Sequence, residues 1–265
     1  MSRHSLSSLF EPTSVAVVGA SSDAERIGGR VLRFLLESGY AGRIYPVNKS
    51  GLAEVQGLQA FASVSAIPGT LDQAIIVVPA GGVEAAVQDS IAKGVKCVLV
   101  LTSGFAEISP EGRAQQDRLV ALCRAAGVRM VGPNSLGLLN VGTRYFATFS
   151  TALNGLQPKA GPIALATQSG AFGSCTYAMA SLRGMGFSKI VATGNEADVD
   201  VAECIAYLAQ DPGTRVICTA LEACRDGAAL RAALLAAADA GANETRPALV
   251  ERGRYLVHDV ALCID

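Results

Sequence analysis

Short apolar runs alternate with amphipathic stretches along most of the chain. In the first half, runs rich in Val, Ile and Leu lie at residues 14–18, 43–47, 73–78, 96–101 and 129–131. Between them, apolar residues recur at helical spacing at residues 28–38, 82–93 and 110–126. Strands that alternate with helices in this way are typical of βαβ units, so the pattern predicts a parallel sheet covered by helices.

A second series with the same alternation follows. Its predicted strands are residues 162–166, 188–192, 215–219 and 248–251, and its predicted helices are 171–183, 199–210 and 227–240. Between the two series, residues 143–160 contain an Asn-Gly pair and no clear period, which is typical of a connector. The sequence therefore predicts an α/β protein with parallel sheets, a first domain at 1–142, a connector at 143–160 and a second domain at 161–265.

Composition narrows the classes of function. The chain has 265 residues, and its 22 basic and 23 acidic side chains give a net charge of −1. Without a basic patch or charge run, binding to nucleic acid or to a membrane surface is not expected. No apolar run approaches the roughly 20 residues of a membrane-spanning helix, and the N-terminus lacks a signal-peptide pattern, so we expect a cytoplasmic protein. Seven cysteines without a CxxC pair favour free thiols over a disulfide framework or a metal site.

The candidate chemistry of the first half lies in the loops that follow its strands. In open α/β sheets, ligands bind outside the carboxyl ends of the strands. After the first strand, Gly19-Ala20-Ser21 precedes Arg26 and a Gly-Gly pair that opens a helix, a pattern that suits an anion although the spacing is not GxGxxG. After the second strand stands Lys49, where an NAD-binding protein carries an acid. A cation there favours a nucleotide with an extra ribose phosphate, which leaves NADP and coenzyme A as candidates.

The next three strands also end in small or polar residues. These are Pro79 and Ala80, Thr102 and Ser103, and Asn134. Small residues let a ligand lie against the backbone, and Asn134 offers both a donor and an acceptor.

In the second half, Ser169 and Gly170 lie between a strand and a helix, where backbone amides and the helix dipole favour a phosphate. The segment resembles the GxSxG nucleophile elbow but lacks its first glycine, and the chain has only His4 and His258, so a serine hydrolase is disfavoured. The acidic loop at residues 194–200 precedes a helix, which favours capping over metal binding. Glu222, after a buried strand, is a candidate partner for a catalytic cation or imidazole.

Taken as a set, the motifs resemble those of the NDP-forming acyl-CoA synthetases, the superfamily of ADP-forming acetyl-CoA synthetase and the succinyl-CoA synthetase α subunit. The motifs that carry the resemblance, in chain order, are FEPTSVAVVGAS, RIYPVNKS, IIVVPA, LTSGFAE, VGPNSLGLLN, ATQSGAFG, ATGNEADVD and ALEACRDG. The resemblance implies a Rossmann-like CoA-binding domain followed by a flavodoxin-like ligase domain. It also implies reversible conversion of acyl-CoA, phosphate and NDP to acid, CoA and NTP through an acyl phosphate and a phosphohistidine.

The resemblance also implies roles for the candidate residues. Gly19, Ala20, Ser21, Arg26 and Lys49 would hold the CoA phosphates and nucleotide, and Pro79, Ala80, Thr102 and Ser103 would line the adenosine and pantetheine path. Asn134 would lie near the thioester, Ser169 and Gly170 would bind the transferred phosphate, and Glu222 would orient the histidine.

The C-terminal sequence departs from the family pattern. The family's phosphohistidine stands in a glycine-rich loop, whereas no glycine flanks His258, the one candidate here. The ATP-grasp module that binds the Mg-nucleotide is not found in the sequence, so the resemblance implies a separate ATP-grasp β-type subunit. The alternatives are a catalytically inactive protein that binds CoA or acyl-CoA, with a truncated ligase domain, and an NADP-dependent reductase. Homo-oligomerisation, the acyl substrate and the choice of ADP or GDP stay open.

Overall fold

The first half of the chain folds around a parallel sheet, in a computed structural model that describes residues 6–242. In chain order its strands are β1 (Ser14–Val18), β2 (Arg43–Val47), β3 (Glu54–Val55), β4 (Leu58–Gln59), β5 (Gln73–Ile76), β6 (Cys97–Val100) and β7 (Arg129–Val131). Strands β3 and β4 form a small separate hairpin, and the others form one sheet in the order β2-β1-β5-β6-β7. Neighbouring strands of this sheet are all parallel, as the sequence predicts.

The helices of this half are α1 (Ser7–Phe10), α2 (Ile27–Glu37), α3 (Ala80–Lys93) and α4 (Pro110–Ala125). Every residue of β1, β5 and β6 is buried, because helices cover the sheet on both faces. Ser109 caps α4 by accepting a hydrogen bond from the Gly112 amide at 3.1 Å. By contrast, no side chain caps the N-terminus of α2 or α3, and both helices begin in loops that follow strands of the sheet.

The second half contains a further five-stranded sheet. Its strands are β8 (Gly137–Asn140), β9 (Tyr145–Thr148), β10 (Ala160–Thr167), β11 (Phe187–Ala192) and β12 (Val216–Ala220), in the order β12-β10-β11-β8-β9. The helices are α5 (Gly170–Leu182), α6 (Val201–Leu208) and α7 (Gly227–Ala242). Three predicted strands and three predicted helices are thus observed, and the strand predicted at 248–251 lies outside the described residues.

The prediction that both sheets are parallel is wrong for the second one. Strands β8 and β9 form a hairpin, and β8 pairs antiparallel with β11, so the sheet is mixed. A four-residue connection can join only antiparallel neighbours. Strand β9 falls in the segment predicted as a connector, and β8 falls in the range predicted for the first domain. All four residues of β9 are buried, so its sequence shows no alternation of apolar and polar positions.

The two sheets share a hydrophobic core. One apolar cluster includes Phe10 and Leu99 from the first half and Val199 and Ile205 from the second. At its edge, the rings of Phe10 and Tyr207 stack with centroids 4.7 Å apart.

A half-buried ion-pair network also joins the two halves. The Arg129 guanidinium lies 2.9 Å from the Asp198 carboxylate and 2.7 Å from that of Glu203. Because these charges are partly removed from water, their pairing fixes the position of α6 against β7.

The acidic loop at residues 194–200 lies at the start of α6. The acidic loop caps a helix as predicted, since the Asp200 carboxylate accepts from the Glu203 amide at 2.8 Å at the start of α6. Within residues 6–242, no cluster of His, Cys, Asp and Glu side chains could hold a metal ion, and no helix is long and apolar enough to cross a membrane.

Candidate functional site

The loop after β1 is folded tightly onto the first turn of α2. Gly19 has a φ of +99°, and its amide donates to the Val47 carbonyl at 2.9 Å. A Cβ atom on Gly28 would lie 2.1 Å from the Gly19 carbonyl oxygen, and one on Gly29 would lie 1.9 Å from that of Asp23. These close approaches require glycine. They bring the loop against a helix N-terminus that has no side-chain cap, as an anion-binding loop requires.

Two amide side chains that the sequence analysis did not single out hold this loop. Asn48 donates to the Ala20 carbonyl at 2.6 Å, and Gln56 donates to the Ser21 and Gly29 carbonyls at 2.9 Å each. The signal for Asn48 was its position directly after β2. Nothing local indicated Gln56, which reaches the loop from the β3–β4 hairpin with a φ of +51°.

The two predicted phosphate-binding cations are both at the surface. Lys49 is exposed, and within the described residues it has no ion-pair partner. Arg26 is also exposed, and its guanidinium lies 3.7 Å from the Asp23 carboxylate. Lys49 adjoins Asn48, so the structure brings it next to the loop after β1, whereas Arg26 points its charge at an acid.

Hydrogen bonds join the loops after β5, β6 and β7. The Thr102 hydroxyl donates to the Val78 carbonyl at 2.7 Å, and the Thr102 carbonyl accepts from the Asn134 amide at 2.8 Å. Pro79 precedes α3 and is exposed together with Ser103 and Asn134, and the Ala80 methyl is 3.3 Å from the Cβ position of Gly104. The predicted residues of these three loops therefore lie side by side along the carboxyl edge of the first sheet.

The predicted residues of the second half also lie at strand ends. Ser169 caps α5, with its hydroxyl accepting from the Phe172 amide at 3.4 Å, and the Cβ position of Gly170 is 2.7 Å from the Leu136 Cβ. The Glu222 side chain is exposed after β12, and its amide donates to the Gln168 side-chain oxygen at 2.6 Å.

Gln168, directly after β10, is a central residue that the sequence analysis quoted but did not select. Its side-chain nitrogen donates to the Glu196 carboxylate and to the Ala223 carbonyl, each at 2.7 Å. The Glu196 carboxylate is buried and also accepts from Thr193 and from the Val201 amide. This chain of hydrogen bonds holds the segment that carries Glu222 beside the start of α5.

A cluster of polar side chains joins the two sets of loops. Asn195 donates to the Glu107 carboxylate at 2.5 Å and to the Gln116 side-chain oxygen at 2.9 Å, and it accepts from the Asn134 side chain at 3.3 Å. Glu107 in turn accepts from the Gly104 amide at 2.5 Å. Burial opposes ionisation of Glu107, but the hydrogen bonds from Asn195 and Gly104 outweigh it and lower the pKa of the carboxyl group.

The structure therefore places ten predicted residues of the first half and three of the second at the carboxyl ends of strands, and Asn134 and Leu136 connect the two sets. His258 lies outside the described residues.

Comparison with known proteins identifies both halves of the chain. Residues 13–140 match a family described as CoA binding domain, and residues 160–243 match one described as succinyl-CoA ligase like flavodoxin domain. The acetate–CoA ligase [ADP-forming] I subunit alpha of Pyrococcus furiosus is 39% identical over 84% of this chain and 48% of its own length. The 4-hydroxybutyrate–CoA ligase [ADP-forming] of Nitrosopumilus maritimus is 32% identical over 83% of this chain and 31% of its own length.

A solved structure is similar to the chain in both fold and sequence. Acetyl-coenzyme A synthetase 1 of Ca. Korarchaeum cryptofilum, in complex with phosphate and ADP, superposes with a TM-score of 0.79 at 36% identity, over 84% of this chain and 46% of that one. The chain thus spans between 31% and 48% of the length of the first relatives it matches. The two domain matches in the expected order, together with these relatives, show that the chain belongs to the NDP-forming acyl-CoA synthetase superfamily.

Proposed function

We propose that this chain is the CoA-binding, α-type component of an NDP-forming acid–CoA ligase that acts with a separate ATP-grasp subunit. The observation that carries the proposal is the junction at Asn134 and Leu136, which joins a CoA-type loop set to a helix N-terminus suited to phosphate. The relatives support it, since one is named as an alpha subunit of an ADP-forming ligase. Their names also specify different acids, so the acyl group does not follow from family membership.

In this proposal the first sheet holds CoA. The loop of Gly19, Ala20 and Ser21 binds the diphosphate at the uncapped N-terminus of α2, and Lys49 neutralises the 3′-phosphate. Arg26 adds a second cation once it leaves Asp23. Pro79, Ala80, Thr102 and Ser103 line the path of the adenosine and pantetheine groups, which ends at Asn134.

The second sheet then positions the phosphate. A phosphate oxygen at Ser169 and Gly170 attacks the thioester carbonyl carbon, the C–S bond breaks, and CoA leaves as a thiolate that takes up a proton. The phosphoryl group of the acyl phosphate then moves to a histidine, releasing the carboxylate, and from the histidine to NDP on the partner subunit. His258 is the candidate histidine, and Glu222 would orient it.

Calorimetric titration tests the CoA site. Hydrogen bonds to charged groups contribute roughly 1.5–3 kcal/mol, so Lys49→Ala is expected to weaken CoA binding by about tenfold or more. The same variant should bind dephospho-CoA as the original protein does. Lys159→Ala removes the same charge from an exposed position outside the loops and serves as the matched control. Equal loss for CoA and dephospho-CoA would contradict the assignment of Lys49, and tight binding of NADP in place of CoA would favour the NADP-dependent reductase.

Turnover separates the ligase from a protein that only binds CoA. In the presence of an ATP-grasp β-type subunit, ATP labelled in its γ-phosphate should transfer the labelled phosphoryl group to the chain. The His258→Ala variant should not take up this label. CoA binding without phosphorylation or turnover would favour the inactive binding protein.

A further inference from the structure

The segment after β12 that carries Glu222 is held to the sheet through its backbone. Residues 221–226 form neither helix nor strand, and each of them is exposed. The Gln168 side-chain oxygen accepts from the Glu222 amide at 2.6 Å and from the Ala223 amide at 3.0 Å, and its nitrogen donates to the Ala223 carbonyl at 2.7 Å. Because Gln168 directly precedes Ser169, one side chain ties this segment to the start of α5.

A buried carboxylate fixes which way the Gln168 amide points. Glu196 is 4% exposed, and its carboxylate accepts from the Gln168 side-chain nitrogen at 2.7 Å. A carboxylate offers acceptors only, so the nitrogen end of the amide must face Glu196. The oxygen end is then left facing the Glu222 and Ala223 amides, and turning the amide over would break all of these hydrogen bonds at once.

Glu196 is itself held in place by the loop after β11. Its carboxylate also accepts from the Thr193 hydroxyl at 3.0 Å and from the Val201 amide at 2.8 Å. Its φ of +52° is uncommon for a residue with a side chain, and backbone of this kind is concentrated at functional sites. The preceding residue, Asn195, bonds to Asn134 in the loop after β7. Two adjacent residues therefore connect the loops of the first sheet to the segment after β12.

We propose that Gln168 is a positioning residue for the phosphoryl transfer described above. Its amide sets the spacing between the phosphate at the start of α5 and the carboxylate of Glu222, and Glu196 keeps that amide in the required orientation. The inference rests on the proposed function, because the transfer between the acyl phosphate and the histidine is the step that needs Glu222 at a fixed place. Gln168 takes no part in the bonds that form and break in that step.

Exchanging the two side chains tests this role. Gln168→Glu keeps the size of the side chain but removes both donors and sets two carboxylates against each other. Glu196→Gln turns an NH₂ group toward the Gln168 nitrogen, since its oxygen is needed by the Thr193 hydroxyl. The double variant restores the bond between the two side chains with donor and acceptor reversed, and it has the same net charge as the original protein. It still accepts from both backbone amides of the segment and loses only the bond to the Ala223 carbonyl.

The assay separates loading of the full chain from its discharge, in the presence of an ATP-grasp β-type subunit. Loading is the uptake of label from ATP labelled in its γ-phosphate. Discharge is the loss of that label on addition of CoA with acetate or 4-hydroxybutyrate, the acids that the relatives' names specify. Glu222 is proposed to act at the phosphate site, whereas ATP binds to the partner subunit, so the role proposed for Gln168 concerns discharge.

Each single variant should discharge its label about 10- to 100-fold more slowly, because a misplacement of about 1 Å can cost about 100-fold in rate. Loading and the affinity for CoA, measured by titration, should stay unchanged and show that the variants are folded. The double variant should recover most of the lost rate. Gln88→Glu places the same charge on an exposed position of α3 and should discharge as the original protein does.

Two results would overturn this inference alone. One is an unchanged discharge rate in Gln168→Glu, and the other is a double variant as slow as the single ones. If the original chain takes up no label, or discharges it to neither acid, the proposed ligase activity is overturned and the role of Gln168 falls with it.

Discussion

Replacing Gly28 by alanine is expected to disrupt the loop after β1, although alanine has a higher helix propensity than glycine. The added Cβ would lie 2.1 Å from the Gly19 carbonyl oxygen, more than 1 Å short of an ordinary contact at 3.4 Å. The carbonyl cannot easily retreat, because the Gly19 amide is bonded to β2 and Gly19 already has a positive φ. The strain must therefore move either the loop or α2.

The magnitude follows from two opposing effects. Inserting a methyl group into a site without room costs about 1–3 kcal/mol, and the better helix propensity of alanine returns at most about 1 kcal/mol. We expect a net loss of about 1–2 kcal/mol in the free energy of unfolding, or about 2–8 °C in Tm. Because the displaced loop carries Gly19 and Ser21, the affinity for CoA should fall by about tenfold or more.

Gly81→Ala is the matched control. Gly81 occupies the same position in α3 that Gly28 occupies in α2, at the second residue of an uncapped helix, but its Cβ would meet nothing within 4 Å. This variant should be neutral or up to about 1 kcal/mol more stable. Thermal unfolding and CoA titration of both variants are the assays. If Gly28→Ala unfolds and binds CoA as Gly81→Ala does, the close packing of the loop on α2 does not hold in solution.

Three further predictions concern stability. Burial opposes ionisation of Asp72, but hydrogen bonds from Lys96 at 2.8 Å and from the Thr13 hydroxyl and amide lower the pKa of its carboxyl group to about 2. A lowered pKa contributes stability that is present above about pH 4 and is lost as the pH falls toward 2. The free energy of unfolding, measured between about pH 5 and pH 2, should therefore fall less steeply with acid in Asp72→Asn than in the original protein. Lys189→Ala leaves the Asp211 carboxylate, 2.8 Å away, buried without its cation. We expect a loss of about 3–5 kcal/mol in chemical unfolding, and a smaller one when Asp211→Ala is added. Ser109→Ala removes the cap of α4 and should cost about 1 kcal/mol in the same assay, whereas a change within error would mean that the cap hydrogen bond contributes nothing.

The sequence predicted the parallel sheet well because each of its strands is an unbroken run of residues that can be recognised without reference to distant parts of the chain. Strands β1, β2 and β7 begin and end at the predicted residues, since each is a short apolar run with polar or turn residues at both ends. Buried parallel strands show this pattern without help from distant residues. The carboxyl-end rule then placed the candidate loops along one edge.

What the sequence did not predict depends on partners far along the chain. Strand β9 is stabilised by pairing with β8 and by the burial of all four side chains, neither of which its own composition reveals. The role of Gln168 depends on Glu196, 28 positions away, and that of Asn195 on Glu107, 88 positions away. Amide side chains satisfy whichever donors and acceptors the fold brings near, so no local pattern marks them.

These long-range contacts also hold the candidate loops of the two sheets next to each other. Glu107 fixes the backbone of the loop that carries Thr102 and Ser103, and Asn195 bonds both to that carboxylate and to Asn134. Leu136, two residues further on, packs against the start of α5. A displacement of either sheet would therefore break the hydrogen bond between Asn195 and the Glu107 carboxylate, or the packed contact between Leu136 and the N-terminus of α5. The two candidate ligand loops from separate sheets are thereby held at a fixed spacing, which the proposed transfer between a thioester and a phosphate requires.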